Sequence, residues 1–341
     1  MLDTVSVKFW GVRGSYPTPG AETVRFGGNT SCVEVNVAGR TIILDAGTGI
    51  IPLGRELVRR SHLMGTPVDI TLLFSHLHHD HTQGFPFFVP AYDKTTQLKL
   101  YGPDFLEQDL EQALARTMTS PAFPVAWGAT DASKSVQCIH EGQSLLIGST
   151  GEHLVVHPAD AGKILSFEKR NPGDCIRIRT LRSHVHPGGV LLYRIEYRDR
   201  AVVYATDTEG YANTNWRLVN FARNADLLIH DAQFTEQHYL GLFPGLASTR
   251  GWGHSTIRMA CDVASSAGVK QLVLFHLDPG YDDWTIAQNE AESRRIFPDS
   301  MAAYEGLEIH LEGHSEHNHN AAVRQMSINP SIMIVPAAAG I

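Results

Sequence analysis

No stretch of the sequence approaches the roughly 18 consecutive apolar residues that a membrane-spanning helix requires, so no membrane span is expected. Residues 1–14 carry Asp3, Lys8 and Arg13 and no apolar core, which argues against a secretory signal. Cysteine is scarce: Cys32, Cys138, Cys175 and Cys261 are the 4 in the chain, far apart and without a paired spacing. That pattern excludes a disulfide scaffold and suits a reducing compartment, so the expected location is the cytoplasm. Positive charge is also short, with 28 Lys and Arg against 36 Asp and Glu and a formal net charge of -8. A surface of that balance has no general grip on polyphosphate, and long nucleic acid is not an expected partner. No segment repeats, and nothing in the sequence decides between a monomer and a homodimer.

What the sequence does have is a 43% hydrophobic content, enough for a large core, and 18 histidines. Alternating or apolar runs at 4–10, 31–37, 41–45 and 69–75 read as strands, and 50–62 carries apolar residues at helical spacing. Residues 103–119 read as a helix opened by Pro103, and 120–135 as a loop. Strands return at 190–197 and 201–205. After them helix and strand alternate: 216–223, 226–230, 255–267, 271–276, 283–297 and 307–311. Such alternation predicts a layered α/β domain, expected over residues 1–312, with 313–341 as a loosely held tail. His314, His317 and His319 fall in that tail and read as solvated residues.

Sorting the histidines is a matter of spacing. At the carboxyl end of the 69–75 strand stands Ser75-His76-Leu77-His78-His79-Asp80-His81. Strand carboxyl ends are where open α/β sheets bind ligands. His76 and His78, two residues apart in an extended segment, point the same way and can share one ion. Asp80 and His81 follow a tight turn and offer a carboxylate and an imidazole to a second ion, and such pairs sit roughly 3.5–4 Å apart. His79 is out of phase and is assigned no role.

This run resembles the His-x-His-x-Asp-His signature of the metallo-β-lactamase-fold hydrolases. The segments Lys8-Phe9-Trp10-Gly11-Val12-Arg13-Gly14, Gly27-Gly28-Asn29-Thr30-Ser31 and Leu44-Asp45-Ala46-Gly47-Thr48-Gly49 are similar to its phosphodiesterase branch, which includes ribonuclease Z and cyclic-phosphodiesterase-like members. The resemblance spans residues 5–312 and implies a four-layer αββα sandwich. It also implies a third histidine for the first ion. Ser183-His184-Val185-His186-Pro187-Gly188-Gly189 offers two on one strand face, and the His-Pro-Gly-Gly form favours His186 over His184. Asp207 in Ala205-Thr206-Asp207-Thr208 matches the bridging carboxylate, and His276 matches the last ligand of the second ion. The implied arrangement is His76, His78 and His186 on one ion, Asp80, His81 and His276 on the other, and Asp207 between them. Nitrogen and oxygen donors of this kind suit two divalent ions, zinc first, with manganese or iron as competitors. Asp45 is expected to orient loop atoms rather than take part in chemistry.

Two further segments narrow the chemistry. Ile229-His230-Asp231-Ala232-Gln233 resembles the His-Glu-Ala-Thr segment of ribonuclease Z relatives, with Asp for Glu, and Gly253-His254-Ser255-Thr256 resembles their His-Ser-Thr loop. The resemblance implies that His254 is the proton donor and Asp231 its partner, beside the metal-site Asp80, with Ser255 expected to cap the helix that follows. The expected activity is hydrolysis of a cyclic nucleotide or other small phosphodiester by hydroxide held between two metals. A tRNA 3'-processing nuclease would share these residues but carries a separate basic, glycine-rich arm, which is not found here. The nearest candidate, Gly142 to Arg182 with Lys169, Arg170, Arg177, Arg179 and Arg182, reads as a solvated strand face. A lactone or thioester hydrolase would not need His254 and Asp231, and a silent metal-binding or sensor module would not need the full ligand set. Among the aromatics Phe85, Phe87, Phe88, Tyr92, Phe243 and Trp252, only Trp252 is expected to touch a substrate.

Overall fold

The computed structural model describes residues 4–104, 109–210, 215–242, 245 and 247–313. Phe243 and the tail histidines His314, His317 and His319 lie outside them. The first half of the chain comprises β1 (Val5–Gly11), β2 (Cys32–Val37), β3 (Arg40–Leu44), α1 (Ile50–Met64), β4 (Asp69–Leu73), α2 (His79–Thr82), β5 (Gln97–Gly102), α3 (Leu110–Thr117) and β6 (Ser133–Cys138). The second comprises β7 (Ser144–Ile147), β8 (His153–Val156), α4 (Ala161–Arg170), β9 (Ile176–Ser183), β10 (Val190–Tyr197), β11 (Arg200–Ala205), α5 (Trp216–Ala222), β12 (Leu227–Asp231), α6 (Glu236–Leu240), α7 (Ile257–Ala267), β13 (Gln271–Phe275), α8 (Asp283–Ile296) and β14 (Ser300–Ala302). A last strand, β15 (Glu308–Leu311), returns to pair with β1.

The strands form two mixed sheets, ordered β15-β1-β2-β3-β4-β5-β6 and β14-β13-β12-β11-β10-β9-β7-β8. Side-chain alternation explains how they stack. In β3, Ile42 and Leu44 join the core between the sheets, while Ile43 joins the core beneath α1. β4 divides the same way, with Leu73 inward and Ile70 and Leu72 on the α1 side. On the second sheet, α5 and α7 contribute Leu218, Phe221, Ala260, Val263 and Ala264 to the core. The layers are therefore helix, sheet, sheet, helix, the αββα sandwich of the expectation. Strands β11 to β14 run parallel and are covered on both faces, so β11 is buried from Arg200 to Ala205.

Three local expectations are corrected. The helix expected over 103–119 begins at Leu110, capped by the Asp109 carboxylate accepting from the Gln112 N–H at 2.8 Å, so Pro103 was a misleading start signal. The loop expected over 120–135 holds a short 3-10 turn at Trp127–Ala129 and gives way to β6, which adds to the parallel edge beside β5. Thr256, not Ser255, caps α7, its hydroxyl accepting from the Met259 N–H. Ser255 is instead fully buried, with its N–H on Asp231 and its hydroxyl on the Thr208 carbonyl. Among the described residues no helix is long and apolar enough to cross a membrane.

Candidate metal centre

The carboxyl ends of β4, β9, β11, β12 and β13 all open on one rim, and the segments that leave them converge. His76, His78, Asp80 and His81 come off β4, His186 follows β9, Asp207 follows β11, Asp231 ends β12, and His276 follows β13. Asp207 and His276 take positive φ values of 50° and 58°, as do Asp45 at 62° and Ser15 at 62°. Left-handed backbone at four non-glycine residues around one cleft is strain that the surrounding packing holds in place.

The donor atoms fall into sets. Those of His76, His78 and His186 lie within 4.8 Å of one another, and so do those of Asp80, His81, Asp207 and His276. His186 Nε2 faces His78 Nδ1 at 2.9 Å, and His81 Nε2 faces His276 Nε2 at 3.3 Å. Asp207 stands between the sets, with one oxygen 3.7 Å from His76 Nε2 and 3.8 Å from His186 Nε2, and the other 3.2 Å from His81 Nε2. His184 is exposed and belongs to neither set, so of the two candidates in that segment His186 is the one brought to the cluster. His79 is exposed and outside both sets, although it lines the cleft mouth.

The outer partners determine which nitrogen of each ring faces inward. Asp45 is fully buried and accepts from the Ser75 N–H (2.7 Å), the Ser75 hydroxyl (2.7 Å), the Tyr204 hydroxyl (2.8 Å) and His81 Nδ1 (2.8 Å). Since the Ser75 hydroxyl donates to Asp45, it can only accept from His76 Nδ1 at 3.1 Å. Gln233 Oε1 accepts from His276 Nδ1 at 3.1 Å. In all three rings the outer partner holds Nδ1 as a donor and leaves Nε2 facing the cluster, the atom a metal ligand presents. His76 Nε2 is buried with no hydrogen-bond partner, a polar atom that a cation would satisfy.

Electrostatics divides the rings. Burial pushes His76 and His78 below the ordinary histidine range and His186 down to about 4, keeping their lone pairs free. Burial acts the same way on His81 and His276, but the carboxylates of Asp207 and Asp80 outweigh it, raising His81 well above the ordinary range and His276 to about 9. Asp80 and Asp207 are driven well below the usual carboxylate range, since the neighbouring imidazoles overcome the effect of burial. Two buried carboxylates that stay ionised among five imidazoles draw positive charge to the cluster, and nitrogen and oxygen donors in this number fit divalent metal.

Beside the cluster His254 Nδ1 donates to Asp231 Oδ2 at 2.7 Å, and the other Asp231 oxygen accepts from the N–H groups of Ser255 and Gln233. The His254 ring stacks on His276 at 5.0 Å between centroids and meets His186 edge-on at 4.9 Å. The expected pairing is therefore present, and the shorter Asp side chain reaches. Three residues escaped the sequence reading. Glu209 is buried and accepts from the N–H groups of Gly251 and Gly253, both at 3.0 Å, and from the Tyr239 hydroxyl, fastening the loop that carries His254. Gln233 orients His276, and Ser15 presents its N–H to Asp80 Oδ2 at 2.7 Å. All three are common polar residues whose partners lie far along the chain, and no local pattern marks them. Trp252 is exposed beside the His254 loop, while Phe85 and Phe88 are core residues. A cleft of about 340 Å³ opens over the cluster, lined in part by Ser15, Leu77, His78, His186, His254 and His276.

Comparisons with known proteins agree with this geometry. Residues 40–277 match the family described as beta-lactamase superfamily domain. A ribonuclease Z of Synechococcus sp. (strain WH7803) is 30% identical over 264 residues, covering 70% of this chain and 78% of that protein. A ribonuclease Z of Metallosphaera sedula is 28% identical over 275 residues, covering 77% of this chain and 87% of its own length. The crystal structure of the metallo-beta-lactamase fold protein YhfI from Bacillus subtilis superposes with a TM-score of 0.59 at 19% identity, over 90% of this chain and 100% of that one.

Proposed function

The chain belongs to the β-lactamase superfamily and is a metal-dependent hydrolase of that fold, and from this premise we propose that it is a phosphodiesterase acting on a cyclic nucleotide or another small phosphodiester. The observation that carries the proposal is His254, a buried imidazole that lines the cleft, fixed by Asp231 and set against both donor sets. A hydrolase of activated esters or lactones has little use for a second, separately held proton donor, whereas an alkoxide leaving phosphorus needs one.

His76, His78 and His186 would hold one divalent ion, and Asp80, His81 and His276 a second, with Asp207 shared; zinc suits these donors best. Such ions, when bound, supply positive charge to a phosphoryl group and lower the pKa of water at the site. The protein's own part is positioning. Asp231 holds Nδ1 of His254 as a donor, so Nε2 is the atom that faces the cleft and delivers a proton to the departing oxygen. Glu209 keeps the backbone under that ring in place, and Trp252 is available to stack on a substrate ring at the mouth. A phosphodiester and water would give a phosphomonoester and an alcohol.

A tRNA-processing nuclease is the second reading, favoured by the ribonuclease Z relatives. Against it, three of the five basic residues named in the 142–182 excursion are paired on the protein itself: Arg177 with Glu168, Arg179 with Glu196 and Arg182 with Asp104. A chain of net charge -8 with these three arginines so paired suits a small anion better than a folded RNA. The test is hydrolysis of bis-p-nitrophenyl phosphate, a cyclic-nucleotide panel and a tRNA precursor by metal-analysed protein. His254→Ala is expected to lower kcat on the cyclic nucleotides, whose alkoxide must be protonated as it leaves, by about 10²–10⁴-fold and to cost far less on bis-p-nitrophenyl phosphate, whose nitrophenolate leaves unprotonated, while Asp80→Ala lowers metal content and activity on both. Metal-replete protein that cleaves none of the diesters would sink the proposal and turn attention to lactones and thioesters.

A further inference from the structure

Ser15 stands where the chain leaves β1, beyond the buried Arg13 and Gly14. The Gly14 N–H donates to the Leu277 carbonyl at 3.0 Å, which lays this segment along the His276 strand end. A Cβ at Gly14 would lie 2.3 Å from His276 Cε1, so the close approach requires glycine there and delivers Ser15 to the rim of the cleft. Ser15 itself takes φ 62°, a conformation that serine adopts rarely, and its N–H is committed to Asp80.

The direction of its hydroxyl follows from a chain of donors and acceptors. If His276 presents Nε2 to the metal site, its Nδ1 must carry the proton, and Gln233 Oε1 accepts it at 3.1 Å. That fixes the amide so that Gln233 Nε2 faces Ser15 Oγ at 3.3 Å and donates to it. The Ser15 oxygen thus accepts from Gln233, its own proton has no acceptor among the described residues, and Ser15 lines the cleft, so that proton is free to be donated there. We propose that Ser15 is a further catalytic residue, whose hydroxyl donates a hydrogen bond to a non-bridging oxygen of the substrate phosphoryl group as charge builds there. The inference rests on the phosphodiesterase reading above. A donor of this kind contributes most at the transition state, because the oxygen it touches gains charge only then.

The experiment compares wild type with Ser15→Ala and Ser15→Gly on ethyl p-nitrophenyl phosphate and on the two enantiomers of its phosphorothioate analogue, with metal content measured for each protein. Both variants are expected to lose about 10–100-fold in kcat on the oxygen substrate, with KM and metal content within about twofold of wild type. Sulfur accepts hydrogen bonds weakly, so for one phosphorothioate enantiomer the loss should shrink at least fivefold. Equal losses on oxygen and sulfur in both enantiomers would overturn the inference, as would a Ser15→Gly enzyme with wild-type kcat, which would assign the effect to backbone conformation. Variants within twofold of an active wild type would overturn the role of Ser15 and leave the phosphodiesterase reading standing. A metal-replete wild type inactive on the oxygen diester would overturn that reading and this inference together.

Discussion

At the scale of single residues, the site depends on side chains that never touch the reacting atoms. Asp45 accepts four hydrogen bonds from Ser75, His81 and Tyr204 without reaching either donor set's interior. Asp45→Asn can serve only part of that array, and we expect metal affinity to fall about 10–100-fold, read by chelator competition, while the ligands themselves stay intact. Far from the cleft, His153 is held at a pKa of about 4, chiefly by burial, with the Tyr101 hydroxyl 2.9 Å from its Nδ1. Its folded value lies below the unfolded one of about 6.5, so its contribution to stability is complete above pH ~6.5 and drains away as pH falls toward 4. Chemical denaturation at pH 7 and pH 4.5 should show His153→Phe losing less stability over that interval than wild type, by up to roughly 3 kcal/mol. A parallel acid slope in the two proteins would rule this out. The pair His76 and His78 was legible because its meaning is local: alternate residues of an extended segment face one way, while Asp80 and His81 are turned inward by α2 (His79–Thr82). The preference for His186 over His184 came from resemblance alone, since parity gives both the same face. What separates them is the departure of the chain from β9 at Ser183 and the left-handed Gly188 and Gly189.

At the scale of elements, the segment from Glu209 to α7 behaves as one mounting for His254. Glu209 ties the end of β11 to the backbone of Gly251 and Gly253, and Gly253, at φ 90°, packs so closely that a Cβ there would lie 2.5 Å from the His186 Cα. Gly253→Ala should therefore disturb the first donor set as well as the loop, and metal content and activity should fall together. Glu209→Ala should leave metal content unchanged and lower kcat about tenfold or more, because only the His254 mounting is loosened. Parallel loss of metal in Glu209→Ala would contradict that division. The strands on either side were readable from sequence because parallel, doubly covered strands carry near-continuous apolar runs, as in Ala201–Ala205 of β11 and Leu272–Phe275 of β13. Helix ends were less readable. Pro103 and Ser255 both look like start signals, yet Asp109 and Thr256 hold the caps; the Ser255 hydroxyl is committed to the Thr208 carbonyl.

At the scale of the whole molecule, neither sheet owns the site. The first half of the chain contributes His76, His78, Asp80 and His81, and the second contributes His186, Asp207 and His276. Each donor set is drawn from both halves, so bound metal favours the folded state by mass action. A protein saturated at 100–1,000 times the dissociation constant gains about 3–4 kcal/mol, which should raise Tm by roughly 4–6 °C over chelator-treated protein in a thermal melt. An unchanged Tm would mean that the site binds no metal in the folded protein. The divided ownership also sets an order in time. His276 lies 195 residues beyond its neighbour His81, and during synthesis the early histidines leave the ribosome long before their partners exist. A complete ligand set therefore exists only once both halves of the chain have been made and brought together, so full coordination of an ion belongs to the end of the polypeptide's synthesis and not its beginning.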